Sequence, residues 1–281
     1  MSSYRTVVLA LVCSLMTSGA AAQERPYFVT YDHYLEERGN LEIAVASTTG
    51  FPKDDHPAYT APWLELELGV TGWWTAELYL EGVITNGDGN AFTGWRLEHR
   101  FRPLRDEHRL NPVAYIEYEN ISEASRIQKE IVGAGSLPYE PIDELKHEHA
   151  HELEAKLILS STVGDWNVAE NFIVEKNLSA DEGFEFGYSA GASRHLGALA
   201  GGTSCRFCLE NLVIGIEAYG GLGSSKAFDR GQQRHFVAPV IAWRLSGRST
   251  LVASVGFGLT KASDHALIRL GYAYELPLGA R

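Results

Sequence analysis

Period-two alternation of apolar and charged residues runs through this chain and leaves it few folds. Leu64-Glu65-Leu66-Glu67-Leu68 sets leucine on one side of an extended strand and glutamate on the other. Ala76-Glu77-Leu78-Tyr79-Leu80-Glu81, Tyr115-Ile116-Glu117-Tyr118-Glu119 and Glu152-Leu153-Glu154-Ala155-Lys156-Leu157 repeat the device, and Trp95 to Arg102 repeats it with bases. Segments 166–176, 184–194, 212–220, 235–245, 250–260 and 265–276 are quieter, filling the second face with Gly, Ser, Asn and Thr. With 41–49 as the first, the chain holds about twelve candidate strands, each near the ~10 residues that a tilted strand needs to cross a bilayer. No convincing helical period competes.

Connection lengths separate a barrel from a sandwich. Short turns fall near 71–73, 163–165 and 246–248, and longer loops at 50–62, 85–91, 120–148 and 221–234. Membrane barrels have short turns at one end, longer loops at the other and an even strand count that brings both termini to the turn end. The stretch 196–211 breaks this rule as a long connection on the turn side. If Leu64, Leu66, Leu68, Leu78, Leu80, Leu97, Phe101, Ile116 and Tyr118 face lipid, the charges gather opposite. Leu251 to Leu259 and Ala266 to Tyr274 alternate the same way. Trp73, Trp74, Trp166 and Trp243 fall at the turn ends, as an interfacial girdle does, and Trp63 and Trp95 near the opposite ends. Glu170, among Val168, Phe172 and Val174, is the exception on the outward face. A soluble periplasmic β-sandwich binding module, with its charged face in water, is the rival reading.

Composition bounds the class less tightly. Mean hydropathy of −0.14 and 21% charged residues suggest a water-soluble protein, but alternation halves the apparent hydrophobicity of a barrel strand. Net charge −12 argues against nucleic acid as a partner. Met1 to Gln23 reads as a secretory signal: Arg5, an apolar run from Val7 to Met16, then small residues that place cleavage after Ala22. Removing 1–22 takes away one base and no acid, leaving net −13, and leaves two cysteines. The expected organisation is a signal peptide at 1–22, a periplasmic N-terminal segment at 23–40 and a barrel at 41–281. The segment is rich in tyrosine and acid (Tyr27, Tyr31, Asp32, His33, Tyr34, Glu36, Glu37) and could be a lead-in or could fold back as a partial plug.

The last strand carries a resemblance. Arg269-Leu270-Gly271-Tyr272-Ala273-Tyr274-Glu275-Leu276 is similar to the C-terminal assembly signal of Gram-negative outer-membrane β-barrels, though it ends in Leu and is followed by Pro277 to Arg281. More loosely, the texture of 63–82 resembles the channel-type barrels of the phenol-degradation meta pathway. The resemblance implies an antiparallel transmembrane β-barrel in the cell outer membrane, with lipid and the assembly machinery as partners.

On this register the lumen receives Glu65, Glu67, Glu77, Glu81, Glu98, Glu117, Glu119, Glu152, Glu154 and Glu217 against Arg96, Arg100, Arg102, Lys156 and Arg269. Glu77 and Glu81 can meet the arginine row from one side, and Glu117 and Glu119 from the other. The wall is then a packed ionic lining, a pore favouring cations or polar solutes, or both. His147, His149 and His151 share one face if extended, as ligands of a divalent metal would. Cys205 and Cys208 suit a disulfide in an oxidising periplasm, with a metal clip or redox pair as alternatives. Ser193 with His195, and Ser263-Asp264-His265, are the candidates for an outer-membrane lipid hydrolase, without a Gly-x-Ser-x-Gly elbow. The expected function is a channel or binding barrel for a small solute, not an enzyme, with no cofactor beyond that candidate metal.

Overall fold

The computed structural model describes residues 26–53, 56–125, 132, 140–199 and 209–279. Twelve strands form its wall: β1 (Asn40–Phe51), β2 (Tyr59–Thr71), β3 (Trp74–Thr85), β4 (Gly89–Phe101), β5 (Asn111–Ser122), β6 (His149–Val163), β7 (Trp166–Asn177), β8 (Glu185–His195), β9 (Leu212–Ser224), β10 (His235–Ser246), β11 (Ser249–Gly258) and β12 (Ala266–Pro277). Each pairs antiparallel with its sequence neighbours, and β1 closes on β12 from Asn40↔Pro277 to Phe51↔Ala266. Closure removes the free edges that an open sheet would present.

Burial follows the alternation. Along β7, Asn167, Ala169, Asn171, Ile173 and Glu175 are buried while Val168, Glu170 and Phe172 are exposed. Leu157, Phe172 and Leu270 are about half exposed, whereas Glu77, Glu98 and Arg100 are almost wholly buried. A water-soluble sandwich would put its charges outside; here they are inside, and the outer band is apolar. No helix among the described residues is long and apolar enough to cross a membrane. Glu170 does face outward, so its place among apolar residues reflects no slip of register.

The start of β1, the end of β12 and the short turns at 72–73, 164–165 and 247–248 share one end, where the longer links 102–110 and 196–211 also join their strands. The opposite end carries 52–58, 123–148, 178–184, 225–234 and 259–265. The loop expected at 85–91 is instead a tight link at 86–88, because Gly87 and Gly89 adopt φ of 78° and 125° and let strand pairing continue to Thr85↔Gly89. In 123–148 a short helix, α1 (Ile142–Leu145), packs Ile142 and Leu145 with Ala124 on Tyr59, Ala61 and Val83, covering part of the loop-end mouth. The Ile142 amide donates to Asp88 Oδ2 at 2.9 Å, and Ser122 Oγ to the Leu145 carbonyl at 2.9 Å.

Trp95 faces outward beside Tyr118, their rings 5.6 Å apart. Trp63 shares its face with Glu65 and Glu67 and looks into the lumen, packing edge-on against Phe28 at 6.5 Å. Replacing the outward mid-strand Leu157 by Arg should cost about 2–4 kcal/mol of folding free energy in lipid vesicles, read as a lower urea midpoint. An unchanged midpoint would mean that this face does not meet hydrocarbon.

Candidate functional site: a lumen filled by the N-terminal segment

Residues 26–36 lie inside the barrel, and wall side chains bind much of their backbone. The amides of Phe28, Val29 and Thr30 converge on the Glu217 carboxylate at 3.3, 3.0 and 3.0 Å. Asn171 acts as a strand partner would: its Oδ1 accepts from the Tyr31 amide at 2.7 Å and its Nδ2 donates to the Tyr31 carbonyl at 2.8 Å. The His33 amide donates to Ser160 Oγ at 2.9 Å, and the Glu36 amide to Glu67 Oε1 at 3.3 Å. A chain without regular secondary structure has no ladder of its own inside a closed barrel, so each buried amide needs such an acceptor. Apolar contacts seat it on facing walls: Val29 with Tyr219, Phe236, Ala238 and Leu267; Tyr31 with Val113, Tyr115 and Ile158; Tyr27 with Ala169 and Val240. His33 stacks on Tyr34 at 4.2 Å and its Nε2 meets Glu107 of the β4–β5 link at 2.8 Å.

The charged side chains cluster on β2 to β6. Arg100, 1% exposed, binds Glu67, Glu77 and Glu98, the last at 3.0 Å, and donates to the Tyr34 carbonyl at 3.4 Å. Arg96 bridges Glu81 on β3 at 2.7 Å and Glu117 on β5 at 3.1 Å, with its guanidinium 4.4 Å from the Tyr79 ring centre. Lys156 pairs with Glu154 at 2.8 Å and lies 4.1 Å over Tyr115. Tyr31 joins this network from the segment, its hydroxyl donating to Glu98 at 2.8 Å. Arg269 stands on the other side, donating to Tyr219 Oη at 2.5 Å and Thr48 Oγ1 at 3.2 Å. Arg102 reaches Glu107 at 3.5 Å by the turn end. Glu65, Glu119 and Glu152 are buried on the same inner wall. Wall residues that the expected set lacks include Asn167, Asn171, Ser160 and Glu175. Asn167, Asn171 and Glu175 fall on one face of the quiet segment 166–176, and Ser160 continues the inward face of Glu154 and Lys156 on β6.

Between segment and wall lies a cavity of about 210 Å³. Ala44, Ala46, Gly271, Ala273, Trp63 and Phe28 give it an apolar side; Glu65, Glu67, Glu119 and Arg96 give it a charged one. Val132 of the long loop also reaches it. Near the turn end, burial first and then Glu275 push the Glu36 carboxyl up to about 7. Burial also raises the Tyr27 hydroxyl.

Other residues singled out from the sequence lie apart. His147, His149 and His151 are exposed by the loop end; His149 Nδ1 meets Asn120 Oδ1 at 3.1 Å and His151 Nδ1 meets Tyr118 Oη at 2.6 Å, both on the outer face. Ser193 is buried facing the lumen, and Ser263 Oγ accepts from the His235 amide and donates to its carbonyl, both at 2.8 Å. Ala22, Cys205 and Cys208 lie outside the described residues.

No family model and no curated protein matches the chain. Solved structures do match. An outer membrane channel from Pseudomonas putida F1 superposes with a TM-score of 0.59 at 11% identity, over 89% of this chain and all of that one. The KdgM porin in complex with disordered oligogalacturonate gives 0.50 at 7% identity, over 84% of this chain and 98% of that one. This chain has the fold of outer-membrane barrels.

Two outcomes follow from the geometry. Arg100→Met leaves Glu67, Glu77 and Glu98 buried without their shared cation and should cost about 3–5 kcal/mol, read as a lower temperature for loss of heat-modifiable gel migration. Glu36, raised from 4.5 to about 7 in the folded chain, favours the seated segment fully below its ordinary value. That preference, roughly 3 kcal/mol at most, fades as pH rises through 7. A cysteine introduced at Val29 should therefore react with maleimide faster at pH 8 than at pH 5 once each rate is divided by that of free cysteine at the same pH, which removes the titration of the thiol itself, and Glu36→Gln should flatten the remaining difference.

Proposed function

We propose that the protein is an outer-membrane channel for small solutes whose own N-terminal segment occupies and narrows the lumen. The observation that carries this reading is the inverted wall: apolar outside, charged inside, with an irregular segment held there by individual hydrogen bonds to wall side chains. Location in the outer membrane is supported by that apolar band, by the fold, and by a sequence start that reads as a signal cleaved after Ala22. The C-terminal strand Arg269 to Leu276 supports insertion by the outer-membrane assembly machinery. On this reading Gln23 becomes the first residue, and the segment enters from the periplasmic end, where both strand termini lie.

Selectivity follows from charge. The inner wall carries more carboxylates than Arg96, Arg100, Lys156 and Arg269 can neutralise, and a net acidic lining favours cations. In planar bilayers the intact protein should show small, intermittent, cation-selective conductance. Deleting 26–37 should raise the conductance several-fold and make it steady. A barrel that stays sealed after the deletion would refute the channel. Equal conductance with and without the segment would refute the narrowing.

A further inference from the structure

The inner wall stacks carboxylates at one level across β5, β6 and β7. Glu117 faces Glu154 across the ladder, and Glu154 faces Glu175 on its other side. Like charges placed directly opposite each other repel, and more so when buried. Among the described residues two cations reach the carboxylates of β5 and β6 at this level, and both are engaged. Arg96 is divided between Glu81 and Glu117 Oε1, and Lys156 holds Glu154 Oε1. Glu117 is 1% exposed, and its second oxygen, Oε2, is sealed from solvent without a hydrogen-bond partner. A buried carboxylate oxygen left in this state is costly unless a proton or a further cation comes to it.

Geometry supplies a place for that charge. One oxygen from each of Glu117, Glu119 and Glu154 lies within 4.8 Å of the others. Three carboxylates with no nitrogen or sulfur donor make an all-oxygen set, the kind that calcium accepts in irregular, partly hydrated shells. Magnesium demands near-ideal octahedral geometry and keeps most of its own water, and zinc prefers nitrogen and sulfur ligands. Glu119 and Glu154 also line the lumen cavity, which gives an ion a route in and leaves room for water ligands.

We propose that Glu117, Glu119 and Glu154 bind a calcium ion inside the barrel. The site neutralises the carboxylate tier whether or not the barrel conducts, so it stands or falls separately from the channel reading.

The purified barrel in detergent, with folding checked by heat-modifiable migration, should bind terbium at one saturable site, with luminescence excited through tyrosine. Calcium should displace the terbium, and calorimetry should give one calcium per chain. Glu119→Gln and Glu154→Gln should each weaken calcium binding at least about tenfold. Asp143→Asn, at an exposed acid on the loop, should leave it unchanged. Calcium should raise the urea midpoint of the intact protein but not that of Glu119→Gln, which reads the site even if one variant folds poorly. Absence of saturable binding, or binding retained at full strength by both variants, would overturn the proposal.

Discussion

Twelve strands enclose more space than inward side chains fill unaided; about eight is the number at which they suffice. That surplus shapes the rest of the molecule. Large side chains crowd one half of the wall, with Arg100, Arg96, Tyr79 and Tyr115 interleaved with glutamates. The other half, on β1 and β12, is lined by Ala44, Ala46, Gly271 and Ala273. The N-terminal segment takes up the difference between the halves. Its own side chains are matched to both, with Tyr31 on the charged side and Phe28 against Trp63.

Filling a lumen with chain instead of water changes the electrostatics of the wall. Ions taken out of water gain little net stability from pairing, but a buried pair broken on one side is expensive. The charged tier is therefore better understood as a lock on geometry than as a source of stability. Arg100 draws β2, β3 and β4 to one guanidinium and adds the Tyr34 carbonyl, so strand spacing and segment position are set together. Glu217 does the reverse on the far wall, where a single carboxylate gathers three segment amides. Arginine on one side and glutamate on the other hold a backbone that has no ladder of its own.

The barrel could be read from the sequence because strand facing has a period of two, and a closed wall with a polar interior preserves that period on every strand. Contacts between adjacent strands were legible for the same reason: Arg96 between Glu81 and Glu117 follows from order alone. The bond from Arg100 to Glu67 did not, because β2 and β4 are not neighbours and only wall curvature lets them meet. Trp63 lies two residues before Glu65 and so shares its inward face, but its place near a strand end suggested an interfacial ring. The segment 26–39 has no period, since its partners are side chains scattered over many strands. Asn171 on a quiet strand and Ser160 near the end of a charged one looked like filler until the backbone they bind was in place.

Seating of the segment is the claim on which these relations rest, and amide hydrogen exchange on the unmodified protein addresses it directly. If the segment occupies the lumen, the amides of residues 28–33 exchange as slowly as those of the wall strands, with Val29, Thr30 and Tyr31 among the most protected. Exchange of the same amides at the rate of an unstructured tail, beside protected strands, would contradict the account.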